Sequence, residues 1–348
     1  MPSTNTQVTP KMTTTHRKNW SIEDWADGIS VIVPTYKRPD DILRALGSII
    51  DQDTDGRPYE IIVADNDPAG SAETAVLALI DANPQTRVIY THVPDPGVSN
   101  ARNGALTQAQ GRYIIYLDDD MEAHPRWIAE LVIAANHYDA PIVFGPVIAQ
   151  MPDGDNPLYP HMQPLFCRTG NFADGIIKKT FGTGGCLIDH GRTSLPDPVF
   201  DPSLNEVGGE DDALFAHILG HGGRIAWTTK ANAIEHIPTH RATPAYVWKR
   251  NFAFGQAPTQ SAADHGWAGA PSVLKWMGVG IVQTITRAPI YAFQRLTGNP
   301  HFVHSYGRLS QAVGKVIWFS GFSPRLYGVD APTQSSSPAG VTKQKLSP

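Results

Sequence analysis

Four short apolar runs, each followed by a stretch of helical periodicity, constrain this chain more than any other feature: ISVIVP at 29–34, EIIVAD at 60–65, RVIYTH at 87–92 and RYIIYL at 112–117. Continuous β-branched runs of this kind are strands buried on both faces. Between them, Pro39 opens a helix with Ile42, Leu46, Ile49 and Ile50 at helical spacing, Ser71 caps a helix over 71–82, and Ser99 caps one reaching about Gln110. The alternation predicts an α/β fold whose mostly parallel sheet is flanked by helices. Ligands of such sheets lie beyond the carboxyl ends of the strands, which places 34–38, 65–67 and 118–120 along one rim.

Further along, the pattern predicts a helix over 125–138, a strand at 141–145, a loop-like stretch at 146–180, a strand at 181–188, a helix over 208–223, one or two strands in 224–236 and a helix over 243–256. The Pro- and Gly-containing stretch 146–180 either closes over a substrate or is a plain surface excursion. The polar ends 1–27 and 331–348 read as disordered, which leaves an α/β domain at 28–258 and a C-terminal helical region at 259–330. Within that region the uncharged run between Lys275 and Arg287 is too short to span a bilayer. An amphipathic segment lying on a membrane surface fits it, with Trp276, Trp318 and Phe322 as interfacial anchors; so does a helical hairpin packed on the α/β domain.

Composition narrows the partners. With 33 acidic against 28 basic residues the chain offers no extended cationic surface, so no nucleic-acid partner is expected. Its two cysteines, Cys167 and Cys186, support neither a disulfide framework nor a structural zinc site, and the polar N-terminus has no apolar run of the kind that directs export. A cytoplasmic setting, at the inner face of a membrane if the C-terminal region binds one, is the expectation.

The fourth strand runs directly into Asp118, Asp119 and Asp120. Three adjacent carboxylates repel one another unless a positive group joins them, and a divalent cation completed by diphosphate oxygens is an economical partner. An isolated acidic turn would be the alternative. A second cluster, Glu210, Asp211 and Asp212, opens a predicted helix, where acidic residues are also favourable on dipole grounds alone.

The ordered pieces VIVPTYKRPDDILRALGSI, YEIIVADN, GVSNARNGAL, GRYIIYLDDDMEAHPRWI, FGTGGCLI and GGEDDALF resemble the family 2 glycosyltransferases, over about residues 28 to 255. The resemblance implies a GT-A fold, a nucleotide-sugar donor, inversion at the transferred sugar, Mn²⁺ or Mg²⁺ as cofactor, and a saccharide or lipid-linked acceptor in polysaccharide or glycolipid assembly. It implies that Pro34, Thr35, Tyr36, Arg38, Asp65 and Arg102 line the donor pocket, with Asp65 on the nucleobase, although a buried Asp there is otherwise a cap or turn residue. Asp118 and Asp120 match the ends of the DxD signature, Asp118 toward the ribose with Asp119 beside it and Asp120 on the metal. His236 matches a further metal ligand. Asp211 matches the catalytic base of the Glu-Asp motif, with Glu210 beside it; Ala213 stands where the family often has another Asp, so Asp212 is an alternative base. The acceptor side is expected at Gly184, Gly185 and Trp248, the last equally a packing residue.

The rival classes fit less well. The first strand leads into PTYKRP and not into G-x-G-x-x-G, no P-loop lysine motif is present, and no H-E-x-x-H exists. A sugar-phosphate nucleotidyltransferase would carry a glycine-rich basic loop after strand one, and a non-catalytic carbohydrate-binding protein would have no use for two acidic clusters.

Overall fold

The computed structural model describes residues 11–14, 24–170, 172–205, 208–322 and 324. The strands are β1 (Lys11–Thr14), β2 (Ile29–Thr35), β3 (Tyr59–Asp65), β4 (Arg87–His92), β5 (Tyr113–Tyr116), β6 (Met121–Ala123), β7 (Ile142–Phe144), β8 (Val147–Gln150), β9 (Gly175–Ile177), β10 (Cys186–Asp189), β11 (Ile225–Trp227) and β12 (Ala233–His236). The helices are α1 (Pro39–Ile50), α2 (Glu73–Ala82), α3 (Val98–Leu106), α4 (Trp127–His137), α5 (Tyr159–Met162), α6 (Glu210–Gly220), α7 (Pro244–Ala263), α8 (Ala270–Leu296) and α9 (Phe302–Val316). Among the described residues the strands form one sheet in the order β1-β4-β3-β2-β5-β10-β7-β11-β9 and a small sheet in the order β6-β12-β8.

The run β4-β3-β2-β5 is parallel, as the four apolar segments predict, and each strand is buried on both faces. On one side Ile42 and Leu46 of α1, Val76 of α2 and Leu131 of α4 pack on Val31, Ile61 and Val63. On the other, Ala101 and Ala105 of α3 and Phe215 of α6 pack on Ile32, Ile62 and Phe144. β10 inserts antiparallel between β5 and β7, so the sheet is mixed beyond its parallel core.

The structure departs from the sequence reading at several places. Ser71 does not cap α2: its N-cap is Ala72, whose N–H donates to the Asp65 carboxylate at 2.8 Å. Ser99 lies inside α3, and its hydroxyl donates to the Asp201 carbonyl. Residues 146–180 are not a plain loop, since β8, α5 and β9 fall there, whereas 181–185 is loop and only Cys186–Asp189 is strand. Within the segment read as a disordered N-terminus, Lys11–Thr14 pairs antiparallel with β4 and Asp24–Asp27 forms a 3₁₀ turn. The tail 331–348 lies outside the described residues.

The C-terminal helices form a three-helix module. Packing of α7 on α9 is close because both present glycine: a Cβ at Gly255 would come within 2.2 Å of the Gln311 carbonyl oxygen, and one at Gly314 within 2.2 Å of the Phe252 carbonyl oxygen. A third apolar cluster, with Ala149 of β8, Met162 of α5, Val247 of α7 and Val303 of α9, joins this module to the catalytic domain. Among the described residues no helix is long and apolar enough to cross a membrane.

Candidate active site

The pairing of β2 with β5 sets the first half of the site. Ile32 lies opposite Tyr116, so the segments leaving the two strands, Thr35–Arg38 and Leu117–Asp120, run side by side. The Thr35 hydroxyl donates to Asp119 Oδ2 at 2.8 Å, and Arg38 Nη1 donates to Asp119 Oδ1 at 2.8 Å and to Asp120 Oδ2 at 3.0 Å. Arg241 Nη1 approaches the same Asp120 oxygen at 3.6 Å. Strand β12 crosses beside them, the His236 N–H donating to the Asp120 carbonyl at 2.8 Å. Asp120 and His236 thereby line one cavity of about 170 Å³ together with Arg38, Asp41, Arg44, Ile237 and Pro238. Burial pushes the Asp119 carboxyl above the usual carboxylate range, with Arg38 opposing the shift.

The second half is built around Arg102 of α3, whose side chain is 6% exposed. Its Nη1 donates to Glu210 Oε1 at 2.9 Å and to Asp211 Oδ1 at 2.8 Å, both at the start of α6. Asp211 is also tied to the loop before β10: the Thr183 hydroxyl donates to Oδ1 at 2.9 Å and the Thr183 N–H to Oδ2 at 3.0 Å. Three hydrogen bonds leave one of about four lone-pair directions open, and the side chain is 20% exposed. Asp212, by contrast, faces solvent.

The loop 182–185 joins the two halves. A Cβ at Gly184 would lie 2.0 Å from Asp118 Oδ2 and one at Gly182 would lie 3.4 Å from Asp211 Oδ2, so both carboxylates face this loop. Burial raises the Asp118 carboxyl to about 6; Arg102 opposes the shift, and Asp120 and Asp211 add to it. Gly185 has φ +75°, a left-handed conformation that favours glycine. The loop is held from behind by Arg168, which donates to the carbonyls of Gly182, Gly184 and Gly185 at 3.2, 2.7 and 3.0 Å.

Comparison with known proteins decides the family. Residues 30–190 match the family model described as Glycosyl transferase family 2. Over 248 residues the chain is 32% identical to the succinoglycan biosynthesis protein ExoM of Rhizobium meliloti (strain 1021), covering 68% of this chain and 77% of that one. The chain belongs to glycosyl transferase family 2. This glycosyltransferase is also 27% identical to the succinoglycan biosynthesis protein ExoO of the same organism over 231 residues, 62% of each chain. Its fold is similar to that of the mannosyltransferase PcManGT from Pyrobaculum calidifontis, solved with GDP-Man and Mn²⁺: TM-score 0.51 at 19% identity, covering 83% of this chain and 87% of that one. The architecture is GT-A, with a C-terminal helical region.

Against this fold the predicted residues sort clearly. Thr35, Arg38, Asp119, Asp120 and His236 come together on one wall; Asp118, Arg102, Gly184, Gly185, Glu210 and Asp211 come together on the other. Pro34 and Tyr36 border the first wall at the end of β2. Three of the expected residues have well-defined partners within the chain. Asp65 is fully buried, and its carboxylate accepts from the backbone N–H groups of Asp67 and Ala72 and from the Tyr90 hydroxyl, which ties down the β3–α2 connection. Arg102 is enclosed by the carboxylates of Glu210 and Asp211 and serves as their counter-charge. The Trp248 ring lies against Tyr306 at 4.6 Å in a tilted arrangement, and Tyr306 in turn stacks on Tyr291, so Trp248 takes part in packing α7 on α9 and α8. Sequence reasoning missed Arg168, Thr183 and Arg241.

The donor set suits a divalent cation in part. His236 Nε2 is shielded from solvent and makes no well-aligned hydrogen bond, but it lies 2.6 Å from Glu122 Oε1, so it would ligate a cation in the cavity it shares with Asp120 only by giving up that contact. Among the described residues no group of three or more His, Cys, Asp or Glu side chains is arranged to hold a metal by itself. A cation here needs substrate oxygens to complete its shell, as Mg²⁺ and Mn²⁺ commonly do at diphosphate sites.

Proposed function

We propose that this protein transfers a single sugar, with inversion, from a nucleoside-diphosphate sugar to a saccharide or lipid-linked hydroxyl in polysaccharide or glycolipid assembly. The observation that carries this reading is the convergence of the two acidic clusters, 91 positions apart from Asp120 to Asp211, on one short glycine loop and one buried arginine. A non-catalytic binding protein has no need to bring them together.

The roles follow from the chemistry each wall offers. Thr35, Tyr36 and Asp119 would position the nucleoside, and Arg38, Arg44 and Arg241 would offer positive charge to the diphosphate. A divalent cation held by Asp120 and His236, when bound, would neutralise charge building on the departing diphosphate. Asp211 would take the acceptor hydroxyl proton as that oxygen attacks the anomeric carbon and the bond to the diphosphate oxygen breaks. Attack from the side opposite the leaving group inverts the centre. Thr183 and Arg102 fix the direction of the Asp211 carboxylate, and the bare backbone at Gly184 and Gly185 admits an acceptor close to it. Asp118, close to both Asp120 and Asp211, would face the ribose of the donor.

Titration calorimetry with nucleoside diphosphates, with and without Mn²⁺, separates the two walls. Asp120→Asn should lose most of the metal-dependent nucleotide binding. Asp211→Asn should keep it while transfer falls about 10²- to 10⁴-fold, the range for loss of a general base. Near-normal turnover by the Asp211 variant, or an unchanged anomeric configuration in the product, would refute the mechanism.

A further inference from the structure

The C-terminal module carries a feature the transfer chemistry does not use. Of the 27 residues of α8, only Gly280 is buried. Leu274, Ile281, Val282, Ile285, Phe293 and Leu296 are 70%, 47%, 62%, 66%, 68% and 87% exposed. At 100° per residue these six fall within an arc of about 120°, on the side away from Gly280, and they extend over about 33 Å of helix. Scattered exposed apolar residues are ordinary, but a continuous stripe of this size marks a covered surface. Trp267 just before α8, and Phe319 and Phe322 after α9, are exposed as well, at 96%, 53% and 66%.

Charge indicates what covers it. Between Asp264 and Asp330 the sequence has no acidic residue and six basic ones, Lys275, Arg287, Arg295, Arg308, Lys315 and Arg325. The rest of the chain, with 22 basic against 33 acidic residues, is net −11. A segment of +6 on a chain this acidic is complementary to an anionic surface. Exposed Lys275 and Arg295 sit at the two edges of the apolar arc, and Arg287 and Arg308, beside a cavity of about 340 Å³ shared with Ile290 and Ser305, have no carboxylate partner among the described residues.

We propose that α8 lies flat on an anionic phospholipid bilayer, its apolar stripe sunk into the headgroup–acyl boundary and Lys275 and Arg295 paired with lipid phosphates. The combination of stripe, basic edges and a helix that does not cross a membrane is that of an interfacial helix. α7 begins eight residues after His236 and packs on β8 through Val247 and Ala149, so docking would hold the catalytic cavity at a fixed height over the membrane.

Co-sedimentation of the full chain with vesicles tests this without reference to turnover. The protein should pellet with phosphatidylcholine vesicles containing phosphatidylglycerol, bind vesicles of phosphatidylcholine alone far more weakly, and be released by high salt. Ile285→Asp with Phe293→Asp, at exposed positions that leave the fold intact by circular dichroism, should abolish binding. Lys275→Gln with Arg295→Gln should weaken it about fivefold per charge removed. Absence of binding to anionic vesicles, or equal binding to neutral ones, overturns the proposal. So does a dimer in sedimentation velocity that the Ile285 and Phe293 changes dissociate, since the stripe would then be covered by a second copy of the chain.

Discussion

Replacing Asp118 by Asn should stabilise the metal-free protein while impairing transfer. The carboxyl is raised to about 6 from an ordinary value of 3.8, chiefly by burial, with Asp120 and Asp211 adding repulsion that Arg102 only partly offsets. A carboxyl raised in the folded state contributes most below its unfolded pKa, where both states hold the proton. That contribution is lost as pH rises through about 6, because the folded state must then ionise a buried group that the unfolded chain ionises freely. Two pKa units amount to about 3 kcal/mol, and partial solvent access makes about 1–3 kcal/mol the working range. Asn cannot ionise, so the variant should match the wild type near pH 4 and exceed it by that amount near pH 8. Urea unfolding across this range, with chelator present, reads the difference directly, and contributions of other titrating groups cancel in it. A gap that does not widen with pH, or a variant that becomes relatively less stable as pH rises, would show that Asp118 is not strained in the folded state.

Two further changes probe the second wall. Arg102→Met leaves Glu210, Asp211 and Asp118 without their shared cation and should cost about 3 kcal/mol in denaturant unfolding, the range for breaking a buried ion pair; Arg102→Lys should recover part of that, and no recovery would mean that charge is not the cause. Gly184→Ala places a methyl group 2.0 Å from Asp118 Oδ2 and should cut kcat/KM at least tenfold, whereas Gly182→Ala, whose nearest neighbour is Asp211 Oδ2 at 3.4 Å, should be tolerated; equal effects from the two would refute the close-approach argument.

The parallel core was legible because buried strands and amphipathic helices are written in side-chain period, which is a local property. Placement of Asp118–Asp120 on the same rim as Thr35–Arg38 follows from that alone, since both leave the carboxyl ends of neighbouring strands. Asp65 could not be read further from sequence because a carboxylate after a strand has the same local signature whether it caps a helix or meets a ligand. Its partners, the Tyr90 hydroxyl and the Ala72 N–H, are set by the fold, the first coming from the next strand in the sheet. The same carboxylate displaced Ser71 from its expected cap. Arg168 had no sequence signal: its partners are backbone carbonyls, which every residue supplies, in a stretch whose Pro and Gly content hides its strands. Trp248 was ambiguous for a related reason, because contact with a sugar and contact with Tyr306 ask the same thing of a half-buried indole on a helix.

The two acidic clusters solve like-charge repulsion in opposite ways, and the difference follows their proposed tasks. At Asp211 the compensating charge is permanent: Arg102 is buried, its contacts are short, and Thr183 completes the cradle from a loop pinned by Arg168. A base that must meet an incoming hydroxyl in one orientation gains from such fixed partners, because nothing has to reorganise when the acceptor arrives. At Asp120 the compensation is exchangeable. Arg38 is 28% exposed, Arg241 stands off at 3.6 Å, and His236 Nε2 is held by its 2.6 Å contact to Glu122, so these groups could change partners on the proposed binding of a cation and diphosphate. A site that binds and releases a multiply charged leaving group in every cycle needs that looseness, since a wall as tightly paired as the Asp211 side would have to break buried ion pairs to admit its donor.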